Sequence, residues 1–183
     1  MDSLFSLAHR LLTYGLDGSP IYVDEFTRLN REVYEQALEL YGTRGKTVES
    51  EAELCLGLLA AFAATIYDNG HKQQYIQRVL DRSWEVLPKL SASLLKVQLL
   101  VYCYSEVYDE ELSRQAHSII ATWDKAELTL EQVDIIEELK SFALNPQLHS
   151  RSATYIKRNG LLIRKITIKS SRPFQCAYHP LTP

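Results

Sequence analysis

The sequence predicts an all-α protein: about seven antiparallel amphipathic helices in a compact bundle or a short solenoid of helical hairpins, with a basic non-helical C-terminal tail. Three observations carry this reading. Residues 54–66 form an apolar run without one charged side chain. That run is too short to cross a bilayer, which takes about 20 apolar residues, and too long for an ordinary strand, so it predicts a helix buried on most sides. The flanking segments repeat apolar residues at helical spacing, and Gly, Pro and Asn-Gly signals interrupt them at short intervals.

Helix 1 is expected over 3–14, with Leu4, Leu7, Ala8, Leu11 and Leu12 on one face and Gly15 as its stop. Gly18 and Pro20 then break the chain. Helix 2 is expected from Asp24, read as an N-cap, to Tyr41, on the pattern Phe26, Leu29, Val33, Ala37 and Leu40. Thr47 caps helix 3, which holds the apolar run and is expected to stop at Asp68-Asn69-Gly70. Helix 4 spans about 72–87 on Ile76, Val79, Leu80 and Leu87. Helix 5, about 92–107, is the second strongly apolar helix, and helix 6, about 110–124, presents Leu112, Ala116, Ile119, Ile120 and Trp123. Thr129-Leu-Glu-Gln132 has the pattern of a capping box and opens helix 7, which ends before Asn145-Pro146. Hairpins 3–4 and 5–6 start about 44 residues apart, a spacing found in helical solenoids. No residue-level repeat joins them, so bundle and solenoid both stand.

The formal net charge of −3 hides an asymmetry. Residues 1–138 hold all 23 acidic side chains and twelve of the 20 Lys and Arg, a balance of −11. Residues 139–183 carry eight basic groups and no acid. An acidic body repels nucleic acid, whose binding relies on cations neutralising phosphates. It suits a basic partner, or simply keeps a helical surface solvated. Cys55 and Cys103 lie inside apolar helical runs and are expected as buried free thiols, which suits a reducing cytoplasm. The N-terminal MDSLFSLAHRLL has no basic region followed by an apolar one, so no secretory leader is expected. The domain reading is a helical unit over 1–146 and a tail over 147–183. In that tail, residues 152–159 read as a helical turn and residues 161–169 as an edge strand. The tail pairs between chains, folds onto the acidic body or stays without fixed structure.

No catalytic, cofactor or metal site is expected. The five histidines lack ligand spacing, and there is no Cys-x-x-Cys, nucleophile elbow or Rossmann fingerprint. Gly42-Thr-Arg-Gly-Lys46 has glycines and a lysine but neither the spacer nor the preceding strand of a phosphate loop. Asp109-Glu110-Glu111 opens helix 6, where adjacent side chains diverge and where acids complement the helix dipole.

The aromatic content points to recognition. Of 11 tyrosines, Tyr102, Tyr104 and Tyr108 gather along helix 5, and Tyr104 and Tyr108 share a face at i, i+4. Tyrosine adds contact area at little entropic cost and keeps a polar tip. Tyr104, Glu106, Tyr108, Asp109 and Glu110 are therefore the candidate partner-binding residues. The competing expectation for each tyrosine is a core ring with a satisfied hydroxyl.

Several segments carry a resemblance to a known family. They are Tyr14-Gly-Leu-Asp-Gly-Ser-Pro-Ile-Tyr22, Ala64-Thr-Ile-Tyr-Asp-Asn-Gly70, Leu94-Leu-Lys-Val-Gln-Leu-Leu-Val-Tyr-Cys-Tyr104 with Glu106, and Asp109-Glu-Glu-Leu112 through Ala116-His117. Across about residues 4–145 the chain resembles the UpxZ family of transcription antitermination antagonists from bacterial capsular-polysaccharide loci. The resemblance implies a regulatory protein without enzyme activity or cofactor. Its implied partner is a NusG-like, UpxY-type antiterminator of another locus. It assigns no binding residues, and the basic tail departs from the family pattern. The residues by themselves leave a helical scaffold for an unrelated partner, or a homo-oligomer, as alternatives. A nucleic-acid role rests only on tail residues such as Lys157, Arg158, Arg164 and Lys165.

Overall fold

In the computed structural model, residues 3–143 are described, Asp17 excepted. They form seven α-helices and, among the described residues, no strand: α1 Leu4–Thr13, α2 Val23–Tyr41, α3 Val48–Ala64, α4 Lys72–Val86, α5 Leu94–Val107, α6 Glu110–Ile120 and α7 Leu130–Ala143. The helical turn and strand expected in the tail lie outside the described residues.

Local chemistry sets most helix starts. Ser3 caps α1 by accepting from the Ser6 N–H at 3.1 Å. Thr47 and Ser50 form a reciprocal capping box on α3. Ser93 caps α5, and Thr129 and Gln132 exchange the expected pair of hydrogen bonds at the start of α7. Three boundaries differ from expectation. Asp24 is not the cap of α2. The helix begins a residue earlier, Tyr22 holds the cap position without a side-chain bond, and Asp24 sits in the first turn beside the positive end of the dipole. Helix α3 stops at Ala64 rather than at the Asn-Gly turn. Beyond it the tertiary structure claims the backbone: Lys72 Nζ donates to the Thr65 carbonyl at 2.6 Å, and the Ile66 N–H donates to Asn30 Oδ1 at 3.1 Å. Helix α6 ends at Ile120, where the Thr122 and Trp123 N–H groups turn back to the Ile119 and Ile120 carbonyls.

The odd-numbered helices form a row in which α1 touches α3, α3 touches α5 and α5 touches α7. Helix α2 packs on both α1 and α3, α4 packs mainly on α3, and α6 packs on α5. The first turns of α1, α3 and α5 meet at one end of the molecule beside the last turn of α2. The strongest contacts therefore run along the odd-numbered helices and from the even-numbered helices onto them. Helix α3 is the hub, in contact with α1, α2, α4 and α5. Every residue from Cys55 to Phe62 is buried, as the uncharged run requires. Gly57 lets α1 approach closely: a Cβ there would sit 3.3 Å from the Leu4 Cβ. Each fully buried leucine in this core contributes about 1.5–3 kcal/mol of transfer free energy. Among the described residues, no helix is long and apolar enough to cross a membrane.

Candidate functional site

The predicted recognition residues converge on the corner between α5 and α6. Helix α5 ends when Tyr108 turns into the left-handed region at φ 56°, ψ 34°, and its N–H returns to the Tyr104 carbonyl at 2.8 Å. Tyr108 is the one non-glycine residue with positive φ among those described. An L side chain there costs on the order of 1–2 kcal/mol, so the surrounding packing holds it in place. Its ring lies edge-on to Tyr104, with centroids 5.7 Å apart. Asp109 then caps α6 by accepting from the Glu111 N–H at 2.9 Å.

The five residues do not occupy equivalent positions. Tyr104 is buried, at 6% exposure, and its hydroxyl donates to Glu110 Oε1 at 3.4 Å. Burial, then the nearby Glu110 charge, push its phenol above the ordinary value. Tyr104 is thus a core ring that props the corner from beneath. Asp109 and Glu110 are exposed, while Glu106 and Tyr108 are half-buried. Tyr102 points elsewhere, as expected, and meets Phe5 of α1 edge-on at 5.9 Å. The corner therefore presents carboxylates around one conformationally fixed tyrosine. It contains no nucleophile paired with a base, and no described group of three His, Cys, Asp or Glu side chains forms a metal site.

A second polar centre, which sequence reasoning missed, lies inside the protein. The Glu51 carboxylate accepts from Arg82 Nε at 2.8 Å, from Arg44 at 2.9 Å and from the Gly45 N–H at 2.5 Å. The Arg82 and Glu51 side chains are only 8% and 9% exposed. Arg82 also donates to the Tyr41 carbonyl at 3.1 Å, so the cluster ties α3 and α4 to the end of α2. The glycine- and arginine-bearing loop at 42–46 thus wraps the protein's own carboxylate instead of a phosphate. Burial alone would raise the Glu51 carboxyl, but Arg82, the Gly45 N–H and Arg44 outweigh it and hold the group below its ordinary value.

The loop between α1 and α2 is a second missed surface. Ile21 and Tyr22 of the loop and Val23, the first residue of α2, are exposed, the last two at 62% and 74%. The signal was an Ile-Tyr-Val run directly after Gly-Ser-Pro, outside any helical repeat. A shallow apolar cleft of about 550 Å³ opens where α1, α3 and α5 begin, between Phe5, Leu40, Leu54, Leu94 and Leu95. Its rim also carries Ser3, Ser50, Glu53 and Gln98, of which Ser3 and Ser50 are engaged in capping α1 and α3.

Residues 1–105 match the profile of the UpxZ family of transcription anti-terminator antagonists. The chain belongs to the UpxZ family. A transcription anti-terminator antagonist UpxZ from Bacteroides uniformis, of known crystal structure, is 46% identical. The match covers 79% of this chain and 95% of that one, with a TM-score of 0.69. No curated protein matches. The UpxZ profile spans α1 to most of α5, and so includes the Glu51–Arg82 cluster, the exposed loop at 15–22 and Tyr104. Glu106, Tyr108, Asp109 and Glu110 lie just beyond it.

Proposed function

We propose that this UpxZ-family protein binds NusG-like, UpxY-type antiterminators of other capsular-polysaccharide loci and blocks their action. The observation that carries the surface assignment is the left-handed Tyr108 at the head of an exposed acidic turn. Backbone strain persists where surrounding contacts impose it, and such positions concentrate at binding sites. A rigid aromatic ring amid carboxylates fits a basic face that also offers an apolar contact. The acidic balance of the body adds long-range attraction for such a face. Membrane and cofactor play no part in this reading.

The exposed Tyr22 and Val23 support a second contact surface on the same protein, because apolar side chains this open gain most when a partner covers them. The experiment is titration calorimetry against a panel of NusG-like antiterminators from different loci, at low and high salt. The expected pattern is binding to non-cognate members, weakened by salt. Glu106→Lys with Glu110→Lys should slow association and flatten its salt dependence, whereas Tyr22→Ser with Val23→Ser should speed dissociation. Asp109 stays unchanged because it caps α6. Binding that ignores both pairs of substitutions would remove both surfaces. Absence of binding to every member would remove direct sequestration.

A further inference from the structure

We infer that the acid-free C-terminal segment of this chain docks on the outward face of α7. Helix α7 seats on α5 through Ile135 and Leu139, which are 4% and 2% exposed. Its opposite face is exposed, and there Glu137 pairs with Lys140 of the same helix at 2.8 Å. Leu130 is 83% and Val133 41% exposed, and the exposed carboxylates Glu131, Asp134 and Glu137 surround them. Leu130, Val133, Asp134 and Glu137 follow i, i+3, i+4, i+7 spacing, so they form one continuous stripe. Covering a leucine as open as Leu130 removes most of a large apolar side chain from water. The stripe therefore calls for an occupant that is both apolar and basic.

The chain itself supplies one. Forty residues follow Ala143, with seven Lys and Arg and no acid. Within 161–169, Leu161, Ile163, Ile166 and Ile168 alternate with Arg164, Lys165 and Lys169. Reach is not limiting. Residue 161 lies 18 positions beyond Ala143, a span of up to about 60 Å when extended, while α7 is about 21 Å long. A tether of this length supplies an effective concentration near the millimolar range, so even a weak contact is populated. So placed, the segment is a built-in competitor for any basic ligand of α7, a role independent of the α5–α6 corner.

Cys176 lies in that segment, and Cys55 and Cys103 are buried, so a nitroxide attaches selectively in the native full-length chain. Amide intensities of an isotope-labelled sample then report where the label rests. The expected result is broadening concentrated on 130–137 at low salt. It should be relieved at about 1 M salt, where the screening length falls to about 3 Å, and abolished by Glu131→Lys, Asp134→Lys and Glu137→Lys together. Uniform weak broadening, or broadening centred on another helix, would overturn the inference. So would broadening in a mixture of isotope-labelled, nitroxide-free chain with unlabelled, nitroxide-bearing chain, because a second copy would then supply the segment.

Discussion

Replacing Glu51 by Gln tests the interior of this fold most directly. Three donors converge on the carboxylate: Arg82 Nε–H, Arg44 and the Gly45 N–H. Glutamine keeps the shape but turns one acceptor oxygen into an NH2, which must face a donor, and it leaves the Arg82 charge buried without a counter-ion. Breaking a buried pair from one side costs about 3–5 kcal/mol, a large share of the roughly 5–15 kcal/mol that holds a domain together. At about 2–4 °C per kcal/mol for a chain of this size, Tm should fall by about 6–20 °C. Urea unfolding followed by helical circular dichroism measures the loss. The pH dependence gives a second reading. The Glu51 carboxyl is held below its ordinary value of 4.5. Its contribution is therefore complete above the unfolded-state value and fades as pH drops through the lower folded-state value. The gap between Glu51→Gln and the parent should narrow in acid. The pair Glu51→Met with Arg82→Met should recover part of the loss, because no bare charge remains. A cost below about 1 kcal/mol, the worth of an exposed pair, together with an unchanged acid limb, would refute the cluster as a structural tie.

Three further outcomes follow from the geometry. Gly45→Ala should cost at least about 1–3 kcal/mol, because its Cβ would collide with backbone atoms of Ser50 and Glu51 that cannot yield as a flexible side chain would; Gly42→Ala, with nothing within 4 Å, should be close to neutral in the same urea assay. Asp109→Ala should lower stability by about 1 kcal/mol through loss of the α6 cap, while Asp109→Asn retains most of it; equal losses would show that charge rather than capping matters there. Burial pushes the Cys103 thiol up to about 12, and Cys55 and Cys103 are both fully buried. A thiol reagent followed by mass mapping should leave the two untouched in the native protein and modify them after unfolding.

What the sequence by itself determined was local in origin. The caps at Thr47 and Thr129 act within three residues, the helical periodicities act within one or two turns, and the uncharged run at 54–66 marked α3 as a helix buried on most sides. That Tyr108 stands beside Asp109 and Glu110 at the junction of two helices was legible for the same reason, because they are neighbours along one chain turn. Only the tertiary structure decided the rest. Glu51 and Arg82 are 31 residues apart and no periodicity links them; a glutamate in a first helical turn suits the dipole whatever its distant partner, so only the packing of α4 on α3 pairs the two. Tyr104 read as a surface candidate because an aromatic at helical spacing serves core and interface alike, and the packing around α5 chose the core. The end of α3 moved from the Asn-Gly turn to Ala64 because Asn30 and Lys72, on two other helices, offered its backbone better partners than another helical turn. Which helices touch, α3 against α1, α2, α4 and α5 above all, was likewise decided by tertiary packing, since loop lengths alone do not fix it.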